Sequence, residues 1–163
     1  MTIIIKNKET LIFEGFKFKC CIGKKGTTKD KIEGDIKTPK GIFSLGKVYY
    51  RKDRDIKPIT KLDSICINKK MGWCNDVTNK KYNRLININK NIKHEKMFRK
   101  DYKYDYVIPI NYNTKKIKIG KGSAIFIHLT KNYKPTVGCI ALKKKDFLIL
   151  LKLINKKTKI KII

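Results

Sequence analysis

Hydrophobic and polar residues alternate along much of the chain, with the period of two that is typical of β-strands burying one face. At the start, TIIIK, TLIF and FKFKCCI predict a meander of short strands separated by the polar turns NKE and EG. A Gly-rich polar loop follows, and TPKGIFSLGKVYY then predicts a Pro-Lys-Gly turn leading into another strand. Residues 64–68, 104–110 and 123–129 continue the series. Strands therefore dominate the predicted structure.

Two segments carry a helical pattern instead. In KKDFLILLKLINK, Asp146 lies near the start, and apolar residues recur at i, i+3, i+4 and i+7, namely Phe147, Leu150, Leu151 and Ile154. A weaker pattern predicts a second helix around NIKHEKMFRK, residues 91–100. The final TKIKII alternates again and predicts a closing strand. We expect a mostly β fold with one helix packed on its sheet, directly after a turn that contains Cys139.

The composition fits one folded domain. A length of 163 residues is near the usual size of a single domain. The apolar fraction of 41% is enough for one core, and the 33% of charged residues are interspersed with it and form no disordered block. We find no repeat and no linker. A single domain over residues 1–163 is therefore expected.

The formal charge of +28 first suggests binding to nucleic acid. However, 37 of the 41 basic residues are lysines spread along the whole chain, and only Arg51, Arg54, Arg84 and Arg99 are arginines. The planar guanidinium is favoured in recognition of bases and phosphates, so the lysines are interpreted as general background. Such a surface would still attract anionic polymers, including cell-wall polymers and membrane headgroups.

The first residues, MTIIIKNKETLIFEGF, contain only three consecutive apolar residues before Lys6. This is too short for the apolar region of a secretory signal or for a membrane span, and no later segment reaches the required length. From these residues we expect no export signal and no transmembrane segment.

The cysteines do not form a recognisable framework. There are five, an odd number without CxxC spacing: Cys20, Cys21, Cys66, Cys74 and Cys139. This pattern argues against a zinc site and against complete pairing in disulfides. We expect no metal and no organic cofactor.

Candidate chemistry lies in SAIFIHLTKNYKPTVGCIAL, residues 123–142. His128 lies near the end of an apolar strand, and Cys139 follows in a Thr-x-Gly-Cys turn, so adjacent strands can bring the two together. A cysteine nucleophile needs a nearby base, which His128 can supply. Gly138 allows close approach to a substrate, and backbone N–H groups of the turn can stabilise an oxyanion. The alternative is a structural histidine and a buried cysteine that packs as a small hydrophobe.

The segment IHLTKNYKPTVGCIAL resembles the active-site segment of the L,D-transpeptidases of the YkuD family. The resemblance extends to GDIKTPKGIFSLGKVYYR, GWCNDVTNKKYNRLI and GKGSAIFIHL, and it covers most of the chain, from about Cys20 to Ile154. The sequence is most similar to a branch of this family whose cysteine motif reads Gly-Cys-hydrophobic-Ala-Leu. It implies a single catalytic domain with a β-sandwich or barrel-like sheet.

The resemblance implies acyl transfer on peptidoglycan stem peptides. Cys139 would be the nucleophile, His128 the general base and acid, and Gly138 with Cys139 the oxyanion donors. The outcome would be cross-linking if an amine resolves the thioester, or carboxypeptidase activity if water does. In the better-known branch of the family a second His precedes the glycine, and an Arg follows two residues after the cysteine. Val137 and Ala141 hold these positions here, and the substrate contacts of that branch are not transferred to them.

Several polar residues in the matched segments are candidates for binding stem carboxylates. Arg84 is preferred because it is one of only four arginines. The other candidates are Thr136, Tyr133, Asp76, Tyr82 and Asn83. Asn83 and Arg84 have an alternative interpretation, in which they close a turn before the next strand. Trp73 and Cys74 are expected to pack, Thr38, Pro39 and Gly41 to shape a turn at the sheet edge, and His94 to lie on the surface.

The sequence is also compatible with two other function classes. One is a non-catalytic or divergent domain that binds anionic wall polymer or nucleic acid, and the other is a thiol hydrolase of a different peptide or ester. The family resemblance implies peptidoglycan stem peptides as partners, carbapenem β-lactams as inhibitors, and a place in the cell envelope or periplasm. Without a visible signal, a cytoplasmic location stays an alternative, and the oligomeric state is open.

Overall fold

The computed structural model describes all 163 residues. Fifteen strands and one helix follow one another along the chain. The elements are β1 Thr2–Lys6, β2 Thr10–Phe13, β3 Phe16–Cys21, β4 Thr27–Thr28, β5 Thr38–Pro39, β6 Gly41–Ser44, β7 Val48–Tyr50, β8 Ser64–Cys66, β9 Met71–Cys74, β10 Leu85–Asn87, β11 His94–Lys96, β12 Tyr106–Pro109, β13 Phe126–Leu129, β14 Ile140–Leu142, α1 Lys144–Leu153 and β15 Lys159–Ile162. The predominance of strands predicted from the alternation is confirmed.

Ten of the strands form one sheet in the order β6-β15-β1-β2-β3-β14-β13-β12-β7-β8. The meander β1-β2-β3 is antiparallel, and β15 returns to pair parallel with β1. Beyond β6 the chain turns back to the other side of the sheet, where the N–H of Gly46 donates to Pro109 O at 2.8 Å and the N–H of Asn111 donates to Ser44 O at 2.9 Å. Ser44 of β6 is thus hydrogen bonded to Asn111, just after β12. The sheet is therefore curled, which agrees with the barrel-like sheet that the family resemblance implies.

The main core lies on one side of this curled sheet and contains 25 buried residues. Alternate residues of β1 supply Ile3 and Ile5, and β15 supplies Ile160 and Ile162. Helix α1 adds Phe147, Leu150, Leu151 and Ile154, the four apolar positions of the predicted amphipathic pattern. The helix is thus confirmed where the periodicity placed it. With ten residues, it falls well short of the length needed to cross a membrane.

The second predicted helix, residues 91–100, is wrong. This segment contains strand β11, which pairs antiparallel with β9, while β10 pairs with the other edge of β9. His94, expected on the surface, is half-buried, and its ring lies against Gly72 of β9. Backbone pairing with β9 has overridden a weak local preference for helix, a common outcome for short segments.

A second, smaller core of nine buried residues lies between the three-stranded sheet and the main sheet. It includes Trp73, whose ring meets the edge of Phe126 at 5.1 Å between centroids, and it also includes Cys139. Trp73 and Cys74 are both buried, so packing, as expected, explains both. The small sheet thus covers one face of β13 through the contact of Trp73 with Phe126.

Candidate active site

Strands β13 and β14 pair in parallel and divide their residues between two environments. Ile127 pairs with Ile140, and His128 pairs with Ala141. Because side chains alternate across a strand, Phe126 and His128 face the same side of the sheet. Cys139 precedes β14 and lies on this side too, since the Phe126 N–H donates to its Sγ at 3.4 Å. The register therefore brings His128 and Cys139 to one face, as the sequence predicted.

His128 is held in one tautomer by the backbone. Its Nδ1 lies 3.0 Å from Leu129 O, and a carbonyl oxygen can only accept, so Nδ1 carries the proton in the neutral ring. Nε2 makes no hydrogen bond within the protein, and the residue lines an open cleft. Burial lowers the pKa of His128 to about 4, and the side chain is 7% exposed. At neutral pH the imidazole is thus uncharged, with a free lone pair available as a base.

Cys139 is a buried thiol at rest. Its Sγ donates to Ala124 O at 3.3 Å, and no hydrogen bond joins it to His128 in this structure. Burial, with a smaller contribution from the charge of Glu95, raises the pKa of the thiol to about 12. The pair is therefore a neutral thiol and a neutral imidazole. Proton transfer between them has to accompany attack on a substrate, because neither group ionises alone near pH 7.

The turn before the cysteine is organised by two threonine hydroxyls. Thr136 Oγ1 donates to Cys139 O at 2.6 Å and accepts from the Gly138 N–H at 3.1 Å. Thr38 Oγ1 donates to Gly138 O at 2.8 Å. Thr38, expected only to shape an edge turn, belongs to β5 and supports the cysteine turn directly. Thr136 lines the cleft, but its hydroxyl is already used by the turn.

Gly138 has a conformation that a side chain would disturb. Its φ is +148°, and a Cβ there would lie 3.0 Å from Lys37 O. Because the Gly138 N–H already donates to Thr136 Oγ1, it cannot donate to an oxyanion in this conformation. Cys139 lies just before β14, and its N–H donates no hydrogen bond to another backbone group. Of the two donors implied by the resemblance, the N–H of Cys139 is thus the one available.

A buried asparagine fixes the segment opposite the thiol. Asn83 Oδ1 accepts from Trp73 Nε1 at 2.9 Å and from the Ala124 N–H at 3.1 Å. Its Nδ2 donates to Tyr112 O and Asn113 O. Ala124 has a φ of +52°, a conformation uncommon for alanine, and it presents the carbonyl that accepts from Cys139. The Asn83 amide, expected to bind substrate, is thus fully used in positioning the site.

Cys139 lies in the wall between two clefts. We call the first the basic cleft: it has a volume of about 500 Å³ and contains His128, Arg99, Lys103 and Lys134. We call the second the carboxylate cleft: it has a volume of about 170 Å³ and contains Glu33, Asn75, Lys31 and Gly138. Glu95 and Val137 line both clefts, and Val137 is 72% exposed. Two separate approaches to one thiol suit a reaction with two substrates.

Three residues of the site carry no sequence signal. Tyr104 meets the His128 ring edge at 5.4 Å and donates its hydroxyl to Glu95. Arg99 lies 5.0 Å above the Tyr104 ring and forms ion pairs with Glu95 at 3.5 Å and with Asp101 at 2.6 Å. Glu95 and Arg99 lie in residues 91–100, which were predicted as helix, and Tyr104 lies in the loop before β12, at the start of the segment 104–110 that was predicted as a strand. The fold alone brings them to His128.

The structure does not bring the other predicted substrate-binding residues to this site. Arg84 is exposed beside β10 and lines neither cleft. Tyr133 lies under Lys19 and Lys143, at 5.0 and 5.4 Å from its ring, and lines a separate cavity beside Cys20 and Cys21. Of two further candidates, Asp76 accepts a hydrogen bond from Thr78, and the buried hydroxyl of Tyr82 donates to Glu33 of the carboxylate cleft without lining that cleft itself.

A nucleophile, a base in a fixed tautomer and a free backbone N–H define the class of proteins that use a cysteine for acyl transfer or hydrolysis. The comparison with known families is more specific: the chain matches YkuD, the L,D-transpeptidase catalytic domain, over residues 1–162. The chain belongs to this family, whose members act on peptidoglycan. No curated protein gives a significant match to it.

Proposed function

We propose that this protein is a cysteine L,D-transpeptidase that acts on peptidoglycan stem peptides at the cell envelope. The observation that supports the proposal best is the His128 tautomer. The Nδ1–H bond to Leu129 O leaves Nε2 as a proton acceptor in the cleft that also contains Cys139. Burial keeps this acceptor neutral over the whole physiological range.

The proposed first step is acylation of the thiol. Sγ leaves its hydrogen bond to Ala124 O and attacks the carbonyl at the L-centre of the diamino acid in stem position three, while Nε2 of His128 takes the Sγ proton. The N–H of Cys139 donates to the oxyanion. When the tetrahedral intermediate collapses, His128 returns the proton to the departing amine of the terminal D-amino acid. A thioester on Cys139 remains.

The second step decides between two outcomes. An amine of a neighbouring stem gives a cross-link, and water gives an L,D-carboxypeptidase. The same residues serve both outcomes, with His128 now taking the proton of the incoming nucleophile. The two clefts that meet at Cys139 favour the two-substrate outcome, because each leaves space for a different partner.

The proposal is tested by mass spectrometry of the intact protein after incubation with a carbapenem. We expect one covalent adduct on the wild-type chain and none on Cys139→Ala. Cys66 is the exposed cysteine, so Cys66→Ala is the matched control and should keep the adduct. Tetrapeptide stems should then be processed by the wild type and not by Cys139→Ser. An adduct that persists in Cys139→Ala would contradict the assignment of the nucleophile.

A further inference from the structure

The two clefts at Cys139 differ in charge. In the basic cleft three cationic side chains face one carboxylate, that of Glu95. Arg99 is paired with Glu95 and Asp101, whereas the ammonium groups of Lys103 and Lys134 form no ion pair. The charge of Lys103 acts on His128 and is uncompensated, and Lys134 adds a second unpaired cation to the lining of the cleft. Carboxylates of a ligand are therefore favoured on this side of the thiol.

The carboxylate cleft has the opposite character. Its one cation, Lys31, is buried and already bound to Asp35 and to the carbonyl of Ile32. Glu33 uses a single oxygen, Oε2, to accept from Tyr82 and from Ser123 at 2.7 Å, so Oε1 stays free. The carboxylate of Glu95 lies in the wall shared with the basic cleft. Of the two carboxylates that line this cleft, Glu33 has no cationic partner, whereas Glu95 is paired through Oε1 with Arg99 of the basic cleft.

An independent observation comes from Asn75, which lines the same cleft. Its Oδ1 is buried and makes no hydrogen bond, and among buried side-chain nitrogen and oxygen atoms of the protein it is the only one in this state. A buried oxygen without a donor costs free energy unless a ligand supplies one. The free acceptors in this cleft therefore match a ligand that carries several N–H donors and a positive charge.

We infer that the two clefts sort the two substrates of the reaction by charge: carboxylates of the acyl donor bind in the basic cleft, and the primary ammonium of the acceptor binds in the carboxylate cleft at Glu33, Asn75 and Glu95. The inference rests on the proposed function for its chemistry. It adds the side from which the acceptor approaches and the residues that select an amine over water.

In the resolving step the bound ammonium releases one proton to solvent, and the nitrogen lone pair attacks the thioester carbonyl carbon. The C–S bond breaks, and its electron pair leaves with Sγ. The second proton of the nitrogen passes through His128 to Sγ. An ammonium ion and a thioester thus give an amide, the free thiol of Cys139 and one proton, with no oxidation or reduction.

Binding can be tested without catalysis by titrating ¹⁵N-labelled protein with glycinamide, an amine that carries no carboxylate, and separately with acetate. Glycinamide should shift the side-chain amide signals of Asn75 in a saturable way. Acetate should instead shift the Arg99 Nε–H signal in the basic cleft. Glu33→Gln keeps an oxygen for Tyr82 and Ser123 while removing the charge, and it should weaken glycinamide binding by roughly tenfold. Glycinamide shifts that are absent near Asn75, or unchanged in Glu33→Gln, would overturn the inference.

The catalytic consequence is measured on the isolated acyl-enzyme. Glycinamide is added to the thioester, and its half-saturating concentration for release of the acyl group is compared between variants. Asn75→Ala should raise this concentration roughly tenfold, and the exposed matched control Asn91→Ala should not. Equal values for both variants would overturn the inference while the thioester itself upholds the proposed function. Failure to form any thioester, with the amine shifts intact, would instead reject the function and retain the ammonium site.

Discussion

The two faces of the β13–β14 pair use the same strands for opposite purposes. On one face, Ile127, Leu129, Ile140 and Leu142 pack into the main core with helix α1. On the other, Phe126, His128, Cys139 and Ala141 lie under the small sheet and beside the two clefts. Both faces are buried, but only the second contains groups that can exchange a proton.

Burial has a different consequence for the aliphatic side chains of the first face and for the titratable side chains of the second. On the core face, removing aliphatic side chains from water stabilises the fold. On the site face, the same removal from water lowers the pKa of His128 and raises that of Cys139, because charged forms are disfavoured away from water. The site is thus held in a neutral state, and reaction depends on a substrate that enters the clefts.

The largest effect on the site face is expected when the base, His128, is replaced. His128→Gln keeps an N–H donor for Leu129 O but has no group that accepts a proton at Nε2. The acylation rate should fall by about 10²–10⁴-fold. In the wild type the rate should rise as pH increases through about 4, because the protonated imidazole must lose its proton to act as a base, and then stay level. Stopped-flow acylation across pH checks both statements.

The variant should lose the acidic inflection along with the rate, since no other titrating base replaces the imidazole. Its circular dichroism spectrum should match that of the wild type and serves as the control for folding. An unchanged pH profile in His128→Gln would remove this residue from the mechanism.

A substitution on the core face should have the opposite effect: it should lower stability and leave acylation unchanged. Ile140 is fully buried in the main core, next in sequence to Cys139. Ile140→Ala should lower the free energy of unfolding by about 2–5 kcal/mol, since it removes buried methyl groups and leaves a cavity. The acylation rate per folded molecule should change little. Urea unfolding and active-site titration on the same samples test this separation, and Cys139→Ala, with a smaller loss of stability and no acylation, is its counterpart.

Sequence reasoning identified the local features of this site correctly. The apolar strand that carries His128 near its end, the turn that carries Cys139 and the helix that follows are all encoded by periodicity and by the residues of the turn itself. Each can be identified within a short window of the chain. The alternation of β1, β2, β3 and β15 predicted the strands of the sheet for the same reason.

The features that sequence reasoning missed depend on contacts between distant segments. Residues 91–100 contain good helix formers, yet β11 pairs with β9 and places Glu95 and Arg99 in the basic cleft. Asn83 was assigned to substrate because it is polar, but tertiary contacts bury it behind Ala124. No local pattern distinguishes a buried asparagine that satisfies backbone groups from an exposed one that binds a ligand.

The smallest effect is expected at Arg84, which was the preferred candidate for binding stem carboxylates. Its side chain is exposed and lies outside both clefts, so Arg84→Gln should leave kcat and KM for a tetrapeptide stem unchanged. Lys134→Gln removes one charge from the basic cleft and is the matched comparison. It should raise KM by about fivefold, the effect of roughly 1 kcal/mol from one partly screened charge. Steady-state kinetics at low ionic strength distinguish the two, and a rise in KM confined to Arg84→Gln would mean that the donor binds along β10 and not in the basic cleft.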